Sequence, residues 1–222
     1  MSSTLHSEPV RQLLERLFAA AEENDGPILA RMRSEIDKTK LSLLDSHQTE
    51  LLRDAYIPVG PETGRLLYQM ARARPARLIV EFGLSFGLST IYLAAAVKDN
   101  GMGRVITTEL EPTKIQRAKE NLREAKLLDH VEIWEGDATK TLAKIEGEVD
   151  LVFLDGWKNL YLPVLKLIEP RLATGALVVA DDLNIMPEAL KPYLKHVRSP
   201  DNGYVSVELP IGDGLELSQW TR

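Results

Sequence analysis

The 222-residue chain has no cysteine, which excludes disulfide frameworks and thiolate metal sites and leaves no redox signature of compartment. It has only four histidines, none near the acidic groups described below, so no residue pattern suggests zinc. It has no surplus of basic charge either. Lys and Arg number 27 against 33 Asp and Glu, a net charge of -6, and no basic run is present, so a nucleic-acid partner is not expected. No apolar run approaches the roughly 18 residues of a membrane span, and the first residues lack a charged segment followed by an apolar one. The expectation is a soluble cytoplasmic protein with no membrane partner.

What the chain does have is 44% hydrophobic residues, enough for a sizeable core in one α/β unit of this length. Residues 1–56 form a helical extension and residues 57–222 one structural unit. In the extension, Val10, Leu13, Leu14, Leu17, Phe18 and Ala21 recur at helical spacing after Ser7 and Pro9. Asp25-Gly26 is expected to stop that helix, with further helices over Ile28 to Ile36 and about Leu41 to Leu52. Their apolar faces serve as plain scaffold, on the edge of the core or against a second subunit, hence an expected homodimer. Ile57 to Gly64 is rich in turn formers and opens a helix running to about Arg72.

Beyond it, strands and helices alternate. Strands are expected at Leu78–Val80, Arg104–Leu110, Val131–Trp134, Val149–Leu154 and Ala176–Ala180, with intervening helices at Leu88–Val97, Pro112–Leu127, Thr139–Ile145, Leu160–Leu172 and Pro187–Val197. Tyr204–Leu209 and Leu215–Trp220 read as a closing hairpin. The fold class is therefore α/β, a Rossmann-like doubly wound sheet, mostly parallel with an antiparallel C-terminal strand, preceded by N-terminal helices. Ligands of such sheets bind beyond the carboxyl ends of the strands.

At the first of those ends the sequence reads Glu81-Phe82-Gly83-Leu84-Ser85-Phe86-Gly87. Glycines suit a sharp turn that a ligand approaches closely. The pattern Glu-x-Gly-x-x-x-Gly is not the Gly-x-Gly-x-x-Gly that cradles a pyrophosphate, which argues against NAD. A ligand with an amine, a ribose and an adenine but no phosphate would instead want a carboxylate acceptor such as Glu81. A tight turn with no ligand is the alternative. The stretch resembles the first motif of class I S-adenosylmethionine-dependent methyltransferases, which implies cofactor contacts from Glu81, Gly83, Phe86 and Ser89.

Each later strand also runs into a carboxylate: Glu109, Asp137, Asp155 and the pair Asp181-Asp182. Glu109 stands where α/β nucleotide sites place an acid for the ribose hydroxyls, or it is a charge at the start of the next helix. Asp137 and Ala138 would approach the adenine edge, and Asp137 also suits an N-cap. Asp155 and Asp181, one right-handed βαβ step apart, should lie side by side about 5 Å apart. Asp182 adds a third acid unless it turns away as a cap. Three acids so close repel unless a cation joins them, and hard oxygen ligands suit Mg²⁺. Lys158, three residues after Asp155, is either a solvated surface lysine or a general base whose charged form a dication and burial would disfavour. Trp157 covers the adenine or a substrate ring, or else belongs to the core.

Taken together, Phe153-Leu154-Asp155-Gly156-Trp157-Lys158 with Tyr161, Ala180-Asp181-Asp182, and Leu209-Pro210-Ile211-Gly212-Asp213-Gly214-Leu215 resemble the cation-dependent O-methyltransferases of catechol and caffeoyl-CoA type. The resemblance implies that Asp155, Asp181 and Asp182 ligate the metal and that Lys158 is the base. It puts Glu81, Glu109, Asp137, Ala138, Asp155 and Trp157 on cofactor positions, and Lys158, Tyr161 and Asp182 against the substrate. Ile57, Glu62 and Gly64 fall on a loop closing over the cofactor. Asp182 departs from the family's usual Asn, which makes the site more anionic. The segment Leu183 to Gly203 is shorter than the caffeoyl-CoA branch has, which favours a small, open pocket. The implied reaction moves a methyl group from S-adenosylmethionine to one hydroxyl of a small vicinal dihydroxy aromatic. The alternatives are a non-catalytic protein binding the same cofactor and a methyltransferase with another acceptor.

Overall fold

A computed structural model describes residues 3–39, 50 and 52–222. Its centre is a seven-stranded sheet ordered β3-β2-β1-β4-β5-β7-β6, with β1 Leu78–Phe82, β2 Arg104–Glu109, β3 Val131–Glu135, β4 Val149–Leu154, β5 Leu172–Ala180, β6 Tyr204–Leu209 and β7 Leu215–Trp220. The first five strands pair in parallel. Strand β7 runs antiparallel beside β5, and β6 lies outside it, so the closing hairpin adds two antiparallel strands and not one.

Because successive side chains of a strand point to opposite faces, the apolar run of β1 serves two cores. Ile79 packs with Leu151, Phe153 and Val179 on one face, and Leu78, Val80 and Phe82 pack with Val152, Leu154 and Val178 on the other. The first core is closed by α1 (Glu8–Thr39), α2 (Pro61–Ala73), α3 (Leu88–Asn100) and α4 (Pro112–Glu124). The second is closed by α5 (Ala138–Thr141), α6 (Tyr161–Ile168) and α7 (Pro187–Val197). A strand buried on both faces has no room for alternation with polar residues, which is why β1 reads as continuous hydrophobic sequence.

Two expectations about the extension change, the stop at Asp25-Gly26 and the separate helix over Ile28 to Ile36. Asp25-Gly26 does not stop the first helix, which continues through Pro27 to Thr39. The Asp25 side chain does not cap its own helix, because its carboxylate accepts the backbone N–H groups of Tyr56 and Ile57, and Val10, Leu13, Leu17 and Ala21 are buried along the preceding turns. Tertiary anchoring has overridden a local breaker signal. The helix expected over Leu41 to Leu52 lies, except for positions 50 and 52, outside the described residues. Among the described residues, no helix is long and apolar enough to cross a membrane.

Candidate active site

The carboxyl ends of β1, β2, β3 and β4 open onto one cavity of about 290 Å³. Its floor is the turn from Phe82 to Ser85, and its sides are Thr108 to Glu111, Gly136 to Ala138 and Asp155 to Lys158. The segment Tyr56 to Val59 and Leu29 of α1 close it from the other side.

Glycine is required at two points of the floor. Gly83 has φ +111°, and a Cβ there would sit 2.6 Å from the Asp155 carbonyl oxygen; a Cβ on Gly156 would fall 2.5 Å from the Phe82 ring. Gly83 therefore lies against the Asp155 backbone and Gly156 against the Phe82 ring, which brings the β1 and β4 ends into one wall. Glu109 is fixed by three backbone donors: Ser85 N–H at 2.9 Å, Leu110 N–H at 2.8 Å and Glu111 N–H at 3.0 Å. An ionised carboxylate has about four acceptor sites, so acceptor capacity remains on the cavity side, as a ribose would need. Asp137 caps α5 through the Thr139 N–H at 2.9 Å, and it also lines the cavity next to Ala138. Gly83, Ser89, Trp157 and Asp182 line it too.

Of the residues expected to touch cofactor or substrate, three stand behind the wall instead of on it. Glu81 is fully buried within β1, facing α3; one carboxylate oxygen accepts the hydroxyls of Thr90 at 2.5 Å and Thr107 at 2.6 Å, while the other has no partner. Burial pushes its pKa up to about 7 despite those hydroxyls. Phe86 is buried and stacks on Tyr56, ring centroids 4.3 Å apart. Tyr161 is fully buried; its hydroxyl accepts from Lys158 Nζ at 2.8 Å and donates to the Asp181 carbonyl at 3.1 Å. It positions the lysine and does not face the cavity. Of the implied closing loop, Ile57 lines the cavity, but Glu62 pairs with Arg65 in solvent and Gly64 packs on the Tyr92 ring.

The acidic constellation is compact. Leu154 pairs with Ala180 across β4 and β5, so the residues following them, Asp155 and Asp181, emerge together. With Asp182 they offer carboxylate oxygens all within 4.8 Å of one another. Asp182 takes up φ +64°, an uncommon backbone for any residue but glycine. Leu183 and Asn184 hold it there by donating to the carbonyls of Gly214 and Asp213 in the hairpin turn. The donor set, all hard oxygen, fits Mg²⁺ or a similar divalent cation.

Lys158 is buried, with Nζ 2.7 Å from Asp182 Oδ2 and 3.4 Å from Asp155 Oδ1. The sequence expectation of a lysine brought down towards neutral pH does not hold for these side chains alone. Burial, the largest influence, lowers its pKa, but Tyr161, Asp155 and Asp182 together hold it well above the usual lysine value. One ammonium cannot offset three carboxylates, and Asp181 is accordingly pushed up to about 7 by burial beside Asp182.

Several cavity residues carry no sequence signal. Lys114, in the first turn of α4, reads as a solvated lysine, yet it is buried, donates to Ser85 Oγ at 3.1 Å and lies 5.5 Å from the Phe86 ring centre. Burial lowers its pKa. Leu29 and Tyr56 come from the extension, which the sequence assigned to scaffold.

A methyltransferase domain model matches residues 80–183, from β1 through the Asp181-Asp182 strand end. The chain is 34% identical over 143 residues to a catechol O-methyltransferase of Mycobacterium tuberculosis, covering 64% of this chain and 63% of that relative. The chain is thus similar to S-adenosylmethionine-dependent O-methyltransferases. Among solved structures of similar fold, the cofactor-bound Rv0187 protein from MTB is 28% identical, with a TM-score of 0.67 over 88% of this chain and 90% of that one. The O-methyltransferase TomG of Streptomyces achromogenes, in complex with SAM, is 23% identical with a TM-score of 0.68 over 90% and 92%; at that identity the likeness is one of fold. The chain spans 63% of the length of that catechol O-methyltransferase relative.

Proposed function

We propose that the chain transfers a methyl group from S-adenosylmethionine to one hydroxyl of a small vicinal dihydroxy aromatic, in a reaction that depends on a divalent cation. The observation that carries this reading is the buried Lys158 amine seated between Asp155 and Asp182 at the cavity wall. A relative named catechol O-methyltransferase supports the acceptor class. Glu109 would hold the ribose, and Gly83, Ser89, Asp137 and Ala138 the rest of the cofactor.

Asp155, Asp181 and Asp182 would hold the cation, which supplies Lewis acidity to an acceptor oxygen. With Asp155 and Asp182 committed to the cation, Lys158 would lose the hold that keeps it charged, and its neutral amine would take the proton of the acceptor hydroxyl; the hydroxyl oxygen would then form the new bond to the methyl carbon as the carbon–sulfur bond breaks. Tyr161 would keep the lysine aimed, since its hydroxyl ties Nζ to the Asp181 backbone. The apolar walls, among them Leu29, Val59, Leu160 and Ile185, would exclude water from the transferring group. Most of the acceleration in such a site comes from alignment.

A second reading, cofactor binding without catalysis, draws on the same 2.7 Å contact between Lys158 and Asp182, which holds the amine protonated. Methyl transfer to catechol or caffeate, measured with added Mg²⁺ and with EDTA, separates the two. Transfer that EDTA abolishes supports the first reading; S-adenosylhomocysteine binding with no transfer to any phenolic acceptor supports the second.

A further inference from the structure

A carboxylate ties α1 to the segment that closes the cavity. Asp25 is buried, and its two oxygens accept the consecutive backbone N–H groups of Tyr56 at 2.8 Å and Ile57 at 2.7 Å. Charge-assisted bonds of this kind are about twice as strong as neutral ones. They fall on a segment that resists its own conformation: Ile57 has φ +43°, a true outlier for a β-branched residue. Strain of this sort persists only where the surroundings over-determine it, and it gathers at ligand clamps.

The surroundings here are specific. The Tyr56 carbonyl accepts the Ser85 hydroxyl at 2.8 Å, and the Tyr56 ring stacks on Phe86. Ser85 is itself in the left-handed region, φ +46°, and its N–H donates to Glu109. The same hydroxyl accepts from buried Lys114. A continuous chain of bonds thus runs from Asp25 on α1 through Tyr56 to Ser85 and on to Glu109, across the mouth of the cavity. Four residues along α1 from Asp25, on the same helix face, Leu29 lines that cavity.

We propose that Asp25 is a positioning residue for the cofactor pocket. It holds Tyr56 and Ile57 in the strained backbone that closes the pocket against Ser85, so that α1 is a working wall of the site. This rests on the reading of the cavity as the S-adenosylmethionine site. A clamp of this kind pre-organises the pocket, so removing it reduces affinity for the ligand and leaves the chemistry of the bound complex in place. The strain at Ile57 then relaxes.

The test compares wild type, Asp25→Ala, Asp25→Asn and Arg16→Ala in titration calorimetry with S-adenosylhomocysteine, with circular dichroism as the folding check. Arg16→Ala breaks the exposed ion pair of α1 with Glu124, leaves the Asp25 bonds to Tyr56 and Ile57 in place, and reports on docking of the helix. Asp25→Ala should weaken binding about tenfold or more, the loss expected for two charge-assisted bonds. Asp25→Asn, which keeps one acceptor oxygen, should fall between, and Arg16→Ala should bind as wild type does. In methyl-transfer assays Asp25→Ala should raise KM for the cofactor and leave kcat within about threefold. Amide hydrogen exchange at Tyr56 and Ile57 should quicken in Asp25→Ala without ligand. Folded Asp25→Ala that binds within twofold of wild type overturns the proposal, as does an equal loss in Arg16→Ala. If wild type itself fails to bind, the reading of the cavity falls, a result distinct from a variant-specific null.

Discussion

Lys158 Nζ stands closer to Asp182 than to Asp155, 2.7 Å against 3.4 Å. The residue that departs from the family resemblance is therefore the nearer ion-pair partner of the candidate base. Substituting either member should move catalysis and ion binding in different proportions.

Lys158→Met removes the amine and keeps much of the side-chain volume. We expect kcat for phenolic acceptors to fall at least about a hundredfold, the usual share of a general base, with S-adenosylhomocysteine affinity unchanged by calorimetry. Undiminished turnover would remove the lysine from the mechanism.

Asp182→Asn keeps an acceptor oxygen and a residue type that tolerates positive φ, but takes one negative charge from the cluster. Mn²⁺ binding, followed by calorimetry on protein treated with a chelator, should weaken severalfold, and Asp155→Ala should abolish it. Equal Mn²⁺ affinity in all three proteins would mean that the acids do not act as ligands.

Glu109→Gln loses a charged acceptor for the ribose and weakens the hold on the Ser85, Leu110 and Glu111 N–H groups. Affinity for S-adenosylhomocysteine should drop by about ten- to a hundredfold, in line with charged hydrogen bonds of about 1.5–3 kcal/mol. Binding at wild-type strength would move the ribose elsewhere.

Glu81 gives a stability prediction. Its pKa is raised from an ordinary 4.5 to about 7 by burial, so the folded chain keeps a proton that the unfolded chain releases as pH rises between those values. Folding stability should therefore decline across that window and level off above it, by on the order of 3 kcal/mol for this group. Asp181 acts in the same direction, so the measurement is the difference between wild type and Glu81→Gln in urea unfolding at pH 5 and pH 8. Parallel curves for the two proteins would show that Glu81 is already ionised in the fold.

Much of the fold was legible because two periodicities are unambiguous here. The apolar runs of β1 and β4 and the glycine turn after β1 read as buried parallel strands, and Asp155 with Asp181 followed from the register of a single βαβ step. What the sequence hid depends on contacts between distant residues. Nothing local says that Asp25 will bond to Tyr56 and carry a helix through Gly26-Pro27, or that Thr90 and Thr107 will hold Glu81 behind the wall. Lys114 looks like any lysine in a first helical turn until Ser85 and Phe86 are seen against it. The expectation for Lys158 reckoned with burial and a cation; with the protein side chains alone, Tyr161 and the neighbouring carboxylates outweigh burial.

The order of the strands has a consequence for how such a protein can diversify. Residues assigned to the sulfonium donor hang from β1, β2 and β3, whereas the acids and the lysine hang from β4 and β5, on the other side of the crossover between β1 and β4. The stretch after β5, including Ile185 and Met186, can be exchanged or lengthened while the donor half keeps its shape. On the proposed reading, a library confined to that stretch, which lines the cavity through Ile185 and Met186, should change acceptor preference.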